Sequence, residues 1–244
     1  FNLLKQKMLT TNFGVLITVS LKSKRLKKKA LLEFGKQTII ENIIDRMKKI
    51  CDPKKIIIIT SNKKIDLPFK QIAHKKGVRI FFGDPIDVLH RMYEAAKKFK
   101  IKNFISTTGD NPFVDYLFAK KMINYHIKNK FDFTEILGLP WGAFCYGVSL
   151  VGLNKIIKNK KKKDTEVWGN YFRKNEYCIN GLYKINHKKI KIKNLRLTVD
   201  YKADYDLVKK ILSLSKKNFP LSKEIIKIIN KNKKLIKINN HIKQ

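Results

Sequence analysis

The order of apolar and polar positions divides the first half of the chain into short β-type runs and longer helical stripes. Val15, Leu16, Ile17 and Val19 form a β-branched apolar run that reads as a buried strand. Thr38 then opens a helix: Glu41 follows it by three residues, the spacing of a capping box, and Ile39, Ile40, Ile43, Ile44, Met47 and Ile50 recur on one face. Ile56 to Thr60 is a second strand, of the apolar kind covered on both faces of a sheet. A short helix over Lys70 to Lys76, closed by Gly77, leads to a third strand at Val78 to Phe82. Asp87 caps a helix whose stripe is Val88, Leu89, Met92, Ala95, Ala96 and Phe99, and Asn103 to Thr107 is a fourth strand ending at Gly109 and Asp110. Strand and helix in alternation are the signature of βαβ units, so the expected fold class is α/β with a mostly parallel sheet.

Beyond Asp115 a helix runs to about Lys128 and carries Leu117, Phe118, Met122 and Ile123 inward. The pattern then loosens. Phe131 to Thr134 and Phe144 to Leu150 read as strands, punctuated by Pro140, Gly142 and Gly147, and the lysine run Lys158 to Lys163 reads as a solvated loop. Leu195 to Val199 is one more strand, ending at Asp200, and helices follow at about Ala203 to Ser213 and Ser222 to Asn230. No repeat or Ser/Gly linker divides the chain. We therefore expect an extension over 1–13, one domain over 14–215 with an inserted segment at 131–194 lying over the sheet, and a C-terminal helix with a basic tail over 216–244.

Composition changes this picture in one respect. The 244 residues carry a formal charge of +36, which raises a nucleic-acid reading. Only six of the 55 cationic residues are arginines, and the lysines are spread along the chain among many Ile and Asn. Proteins that read nucleic acid lean on the bidentate arginine fork, so the excess is read as a solvated surface that binds RNA weakly and in a salt-sensitive way. Cys51, Cys145 and Cys178 show no CxxC and suggest neither a disulfide framework nor a zinc site. No apolar run reaches membrane-spanning length, and the first residues lack the apolar core of a signal peptide, so the protein is expected to be soluble and cytoplasmic. The sequence begins at Phe1, and Met8 reads as a native start.

Candidate chemistry lies at strand ends, where open α/β sheets bind ligands. The loop after the first strand holds Ser23, Lys24, Arg25 and Lys29, donors that suit a polyphosphate or else form a basic surface turn. It is not a Walker loop, and no GxGxxG follows any strand. Asp110 and Asp200 each end a predicted strand. They are candidates for holding Mg²⁺ together with substrate phosphates, or for capping the turn that follows. Gly83, Asp84 and Asp87 form a second strand-end loop, in which Asp87 is most simply a helix cap. Trp141 and Trp168 are core aromatics or pocket walls. Asp164, Thr165 and Glu166 put polar groups beside Trp168 and favour the wall reading there. No GxSxG elbow or metal-spaced histidine supports nucleophilic or zinc chemistry.

These residues carry a resemblance. The segment ITVSLKSKRLKKKALLEFGKQTIIENIIDRM is similar to the nucleotide-binding opening of the cytidylyltransferases that activate acidic sugars as CMP-sugars, the acylneuraminate and Kdo enzymes, and most of all the SpsF-like spore-coat polysaccharide group. IIIITSN, GVRIFFGDPIDVLHRMYEAA, TTGDNPFVD, KDTEVWGNYF and LRLTVDYKADYDLV resemble that group's successive blocks in order, over roughly residues 14 to 212. The resemblance implies a three-layer Rossmann-like nucleotidyltransferase fold that binds CTP and an acidic sugar, uses Mg²⁺ and forms a homodimer through the inserted segment. It assigns catalytic roles to Arg25 and Lys29. It assigns the nucleotide to Leu21, Lys22, Ser23, Lys24, Arg25, Lys29, Thr60, Ser61, Gly83, Asp84, Asp87 and Thr108. The metal falls to Asp110 and Asp200, and the acceptor pocket to Trp141, Glu166 and Trp168. Ser20 and Ser106 stand where relatives carry arginine, and Lys27 where they carry proline, departures that imply altered activity.

Overall fold

The computed structural model describes residues 13–185, 192 and 195–242. The extension expected before Phe13, with Met8, lies outside the described residues. The described residues form nine strands and eight α-helices: β1 Phe13–Thr18, β2 Glu33–Phe34, β3 Gln37–Thr38, β4 Ile56–Ser61, β5 Arg79–Gly83, β6 Asn103–Thr108, β7 Phe133–Leu137, β8 Tyr146–Ser149 and β9 Asn180–Lys184; α1 Ile39–Lys48, α2 Pro68–Lys75, α3 Val88–Lys98, α4 Tyr116–Lys128, α5 Leu150–Asn159, α6 Gly169–Arg173, α7 Lys202–Leu214 and α8 Ser222–Lys231.

Seven strands make one sheet in the order β5-β4-β1-β6-β8-β7-β9. Its first four strands are mutually parallel, β8 runs antiparallel to both β6 and β7, and β9 returns parallel to β7. Side chains along the central strands alternate between two cores. Val15, Ile17, Ile56 and Ile58 face a layer built by α1, α2, α4, α7 and α8, whereas Leu16, Ile57 and Ile59 face α3, α5 and α6. The molecule is therefore an α/β sandwich of three layers. Each such isoleucine contributes about 1.5–3 kcal/mol by leaving water. Because β4 pairs with β1 on one side and β6 on the other, the strand order switches direction around β1. A crevice opens outside the carboxyl ends of β1 and β6 at that switch point.

The local signals in the first half behave as their chemistry dictates. Thr38 and Glu41 form the capping box of α1, with the Thr38 amide donating to Glu41 Oε2 at 2.8 Å and the Glu41 amide to Thr38 Oγ1 at 3.4 Å. Asp87 and Asp115 cap α3 and α4 by accepting from the amides of His90 and Phe118. Gly77 takes φ +61°, the left-handed turn that ends α2.

Four expectations need correction. Leu117 is 46% exposed: it stands next to the cap of α4, off the stripe that buries Met122 and Ile123. Leu195–Val199 is buried but joins no strand among the described residues. It bridges the loop at Trp141, with Leu197 N donating to Trp141 O at 2.7 Å, and reaches Asp110 O through Val199 N at 2.8 Å. The described part of the inserted segment does not all lie over the sheet: β7, β8 and β9 continue it in plane, while α5 and α6 pack on one of its faces. Finally, the lysine run is not wholly solvated. Lys158 closes α5, and the Lys160 ammonium is buried against the Asp87 carboxylate. Among the described residues no helix is long and apolar enough to cross a membrane.

Candidate active site

The loop that leaves β1 is fixed at its root by a residue from another connection. Asp66, fully buried, accepts from Leu21 N at 2.7 Å and from the hydroxyls of Ser20 at 3.1 Å and of Ser61. Without Asp66 those three donors would lose this shared acceptor, whereas Val19 N beside them is paired with Ile59 O at 3.1 Å. Further along, Lys28 adopts φ 51° and starts a single 3₁₀ turn over Lys29–Leu31, which turns the Lys29 side chain inward.

Asp110 and Asp200 come from distant parts of the chain and meet at that ammonium. Asp110 follows β6, where Gly109 allows the turn to pass Val19: a Cβ on Gly109 would lie 2.4 Å from Val19 Cγ2. The Thr108 hydroxyl donates to Asp110 Oδ1 and orients its carboxylate. Asp200 arrives on the 195–199 segment, which Gly142 admits by its φ of +87° and its lack of a side chain against Thr198 N. Asp204 then holds the turn, accepting from the amides of Asp200 and Tyr201 at 3.0 Å each and from Arg196 Nε at 3.1 Å. Lys29 Nζ donates to Asp110 Oδ2 at 2.5 Å and to Asp200 Oδ1 at 2.7 Å. Arg25 Nη2 reaches the same Asp200 oxygen at 2.8 Å, and Arg196 Nη2 reaches Oδ2 at 2.5 Å.

Electrostatics follow from this packing. Burial opposes the Asp200 charge, yet Lys29, Arg25 and Arg196 hold its carboxyl below the usual range. Burial likewise opposes the Lys29 ammonium, but Asp110 and Asp200 together hold its pKa above the ordinary lysine value. Among the described residues no group of three or more His, Cys, Asp or Glu is arranged to hold a metal ion by itself. Two hard carboxylates beside an open crevice nonetheless fit a divalent ion of the magnesium kind, which takes one or two carboxylates and completes its shell with water and substrate phosphate.

The crevice has a volume of about 480 Å³. Of the residues singled out in the sequence, Lys22, Ser23, Lys24, Arg25, Lys29, Thr108, Asp110, Glu166 and Trp168 line it. Asp200 sits at its end through Lys29 and Arg25. The others do not. Leu21 is buried beneath the loop, as are Thr60 and Ser61. Gly83, Asp84 and Asp87 stand behind the wall: Asp84 O accepts from Arg91 at 2.7 Å, and Asp87 is occupied as cap and as partner of Lys160 and Thr165. Trp141 is 44% exposed and packs on Phe144, outside the lining. Trp168 does both things expected of it, since one edge lines the crevice while its ring packs on Phe133, Tyr146 and Phe172.

Sequence reading missed Asp66, Arg196 and Asp204 as positioning groups, and Pro85, Val88, Arg91 and Gly109 as lining; Ser20, noted where relatives carry arginine, also lines the crevice. Arg91 had a signal: it sits on the same helix face as Val88, a charged residue on an apolar stripe. Its guanidinium is almost wholly buried, and the Nε hydrogen has no partner among the described residues. Asp66 had none, because only the fold brings it under Leu21.

A family model described as cytidylyltransferase matches residues 15–218. The chain belongs to the cytidylyltransferase family. It is therefore a nucleotidyltransferase, of the family that the β1 loop and its successive blocks resemble. A relative from Methanocaldococcus jannaschii, itself uncharacterised, is 32% identical over 231 residues, covering 91% of this chain and 92% of its own. The spore coat polysaccharide biosynthesis protein SpsF of Bacillus subtilis is 27% identical over 229 residues, 89% of this chain and 93% of its own. Among solved structures, a cytidylyltransferase from Leptospira borgpetersenii superposes with a TM-score of 0.84 at 24% identity, over 92% of this chain and 96% of that one. CMP:2-keto-3-deoxy-manno-octonic acid synthetase, solved with CTP, superposes at 0.65 with 11% identity, over 83% and 99%. At these identities the two structures carry the fold, and the family carries the enzyme class.

Proposed function

We propose that this cytidylyltransferase moves the cytidylyl group of CTP onto a hydroxyl of an acidic sugar with Mg²⁺ as cofactor, releasing pyrophosphate and a CMP-sugar for surface polysaccharide synthesis. The observation that carries the proposal is the meeting of Asp110, Asp200, Arg25 and Lys29 at one end of a crevice lined by further cations. The sugar hydroxyl attacks the α-phosphorus in line, and the bond to the pyrophosphate oxygen breaks. Lys22, Lys24 and Arg25 meet the triphosphate as it enters, and Ser23 adds a hydroxyl donor. Arg25 and Lys29 then neutralise charge that grows on the departing pyrophosphate, an electrostatic contribution made in a partly dry site. Asp110 and Asp200 would hold the divalent ion, which supplies Lewis-acid neutralisation of the phosphate oxygens. Trp168 and Glu166 form the wall opposite the loop, where the acceptor would lie. SpsF, a spore coat polysaccharide protein, and the CTP-bound synthetase of a 2-keto sugar acid support this choice of donor and acceptor class.

The proposal extends to a homodimer through 131–194, where Leu137 and Leu182 are exposed on adjacent strands, and to weak, salt-sensitive RNA binding. The test is pyrophosphate release from CTP, Mg²⁺ and a panel of 2-keto sugar acids. Release that needs both CTP and one acceptor is expected, with ATP, GTP and UTP turned over far more slowly. Equal turnover of all four nucleotides, or none with any acceptor, would overturn it.

A further inference from the structure

Asp200 has no oxygen free. Oδ1 accepts from Lys29 and Arg25, and Oδ2 accepts from Arg196, while Lys29 also takes Asp110 Oδ2. The two inward oxygens that face each other across the site, Asp110 Oδ2 and Asp200 Oδ1, thus share one ammonium whose side chain is only 12% exposed. Two carboxylates brought together without such a cation would repel. Arg196 differs from Lys29, because it is locked in place by Asp204 on its Nε and by the Asn239 amide on its carbonyl. Lys29 ends a flexible stem beside the open crevice.

We propose that Lys29 is an internal counter-ion standing in for the divalent metal: it keeps Asp110 and Asp200 converged in the free enzyme and competes with the metal for their oxygens. The inference rests on the metal role of these aspartates given above. Its consequence is an order of events. Metal alone binds poorly, since it must displace an ammonium that has nowhere better to go. A triphosphate entering along the loop offers Lys29 and Arg25 new acceptors, draws them off Asp200 Oδ1, and so opens the site to the metal. Strand-end aspartates without a bridging lysine would bind metal first.

The test uses Mn²⁺ as probe, titrated against the full chain without nucleotide and followed by electron paramagnetic resonance. Lys29→Met is expected to bind Mn²⁺ about 10-fold or more tightly than the wild type, although its catalysis is impaired. Adding Asp110→Asn to that variant should abolish the gain. Lys24→Met removes an equal charge from the same crevice without touching either carboxylate and should change affinity less than about 2-fold. Lys29→Gln is measured alongside, because it keeps an N–H for one carboxylate if the methionine variant folds poorly. Unchanged or weaker Mn²⁺ binding in both Lys29 variants, or an equal gain in Lys24→Met, overturns the proposal. A separate thermal shift with CTP in EDTA tests the nucleotide reading: if CTP binds and Lys29→Met gains nothing, only the counter-ion role fails. If Lys29→Met gains as expected and CTP does not bind, only the nucleotide reading fails.

Discussion

Asp66 and Asp200 anchor opposite ends of the same loop by opposite means. Beneath the root, Asp66 is closed to solvent and satisfied by an amide and two hydroxyls, donors that carry no charge and have nowhere else to go. At the far end Asp200 is held by three cations, two of which line or edge the crevice. The first arrangement fixes a backbone path. On the proposed counter-ion role, the second holds charge that a triphosphate would redistribute, so rigidity and exchange would be divided between two aspartates and not blended in one. The contrast explains why the loop can be both preorganised and responsive.

The contrast can be broken most forcefully at the exchange end. Asp110→Ala and Asp200→Ala should each lower the rate of pyrophosphate release by about 10²–10³-fold, some 3–4 kcal/mol of transition-state stabilisation, with the folded state retained by circular dichroism. A variant that keeps the wild-type rate removes Asp110 or Asp200 from the chemistry. At the rigid end, Asp66→Ala strands buried donors and should cost on the order of 2–3 kcal/mol in urea unfolding, raising the KM for nucleotide more than it lowers kcat. A stability loss without any change in KM would mean that Asp66 supports the core and not the loop.

A third anchor gives a smaller effect. Thr165 donates its hydroxyl to Asp87 and accepts from Leu89 N at 3.0 Å, pinning the Glu166 and Trp168 wall to α3. Thr165→Val should cost about 1 kcal/mol and raise the KM for the acceptor while leaving CTP binding, read by thermal shift, nearly unchanged. The smallest effect is in pH. Asp200 titrates below its usual value of 3.8, so its contribution to stability is complete above that value and is lost as pH falls through the folded one. Lys29 titrates above 10.5, so its contribution is complete below 10.5 and is lost as pH rises through the folded value. The difference in urea midpoint between wild type and Lys29→Met should thus be flat from about pH 5 to pH 9 and shrink only beyond those limits. A slope within the window would place another titrating group in the cluster.

What could be read in the sequence follows the same division between local and long-range causes. The parallel half of the sheet was legible because Ile56 to Thr60 and the Thr38–Glu41 box obey local rules of period and capping. Strand β9 was not, since Asn180–Lys184 has no apolar run: the backbone pairs it with β7, and Tyr183 packs on Tyr125 of α4. Leu195–Val199 has the pattern of a strand because both of its faces are buried, but its neighbours are the loops at Asp110 and Trp141. Asp110 and Asp200 were visible as strand-end carboxylates. Their convergence with the cationic loop followed from the sheet edge they share, but that Lys29 itself bridges both was not legible, because three segments more than 80 residues apart make that contact. Lys160 shows the limit of composition: a lysine inside a lysine run is a buried ion-pair partner of Asp87.

A crystal structure with CTP and Mg²⁺ bears most directly on the central claim. The account predicts the triphosphate along Lys22 to Lys29, the ion between Asp110 and Asp200, and the Lys29 ammonium moved from the carboxylates onto phosphate oxygen. A nucleotide bound elsewhere, or a Lys29 ammonium still bridging both aspartates beneath a bound triphosphate, would contradict it.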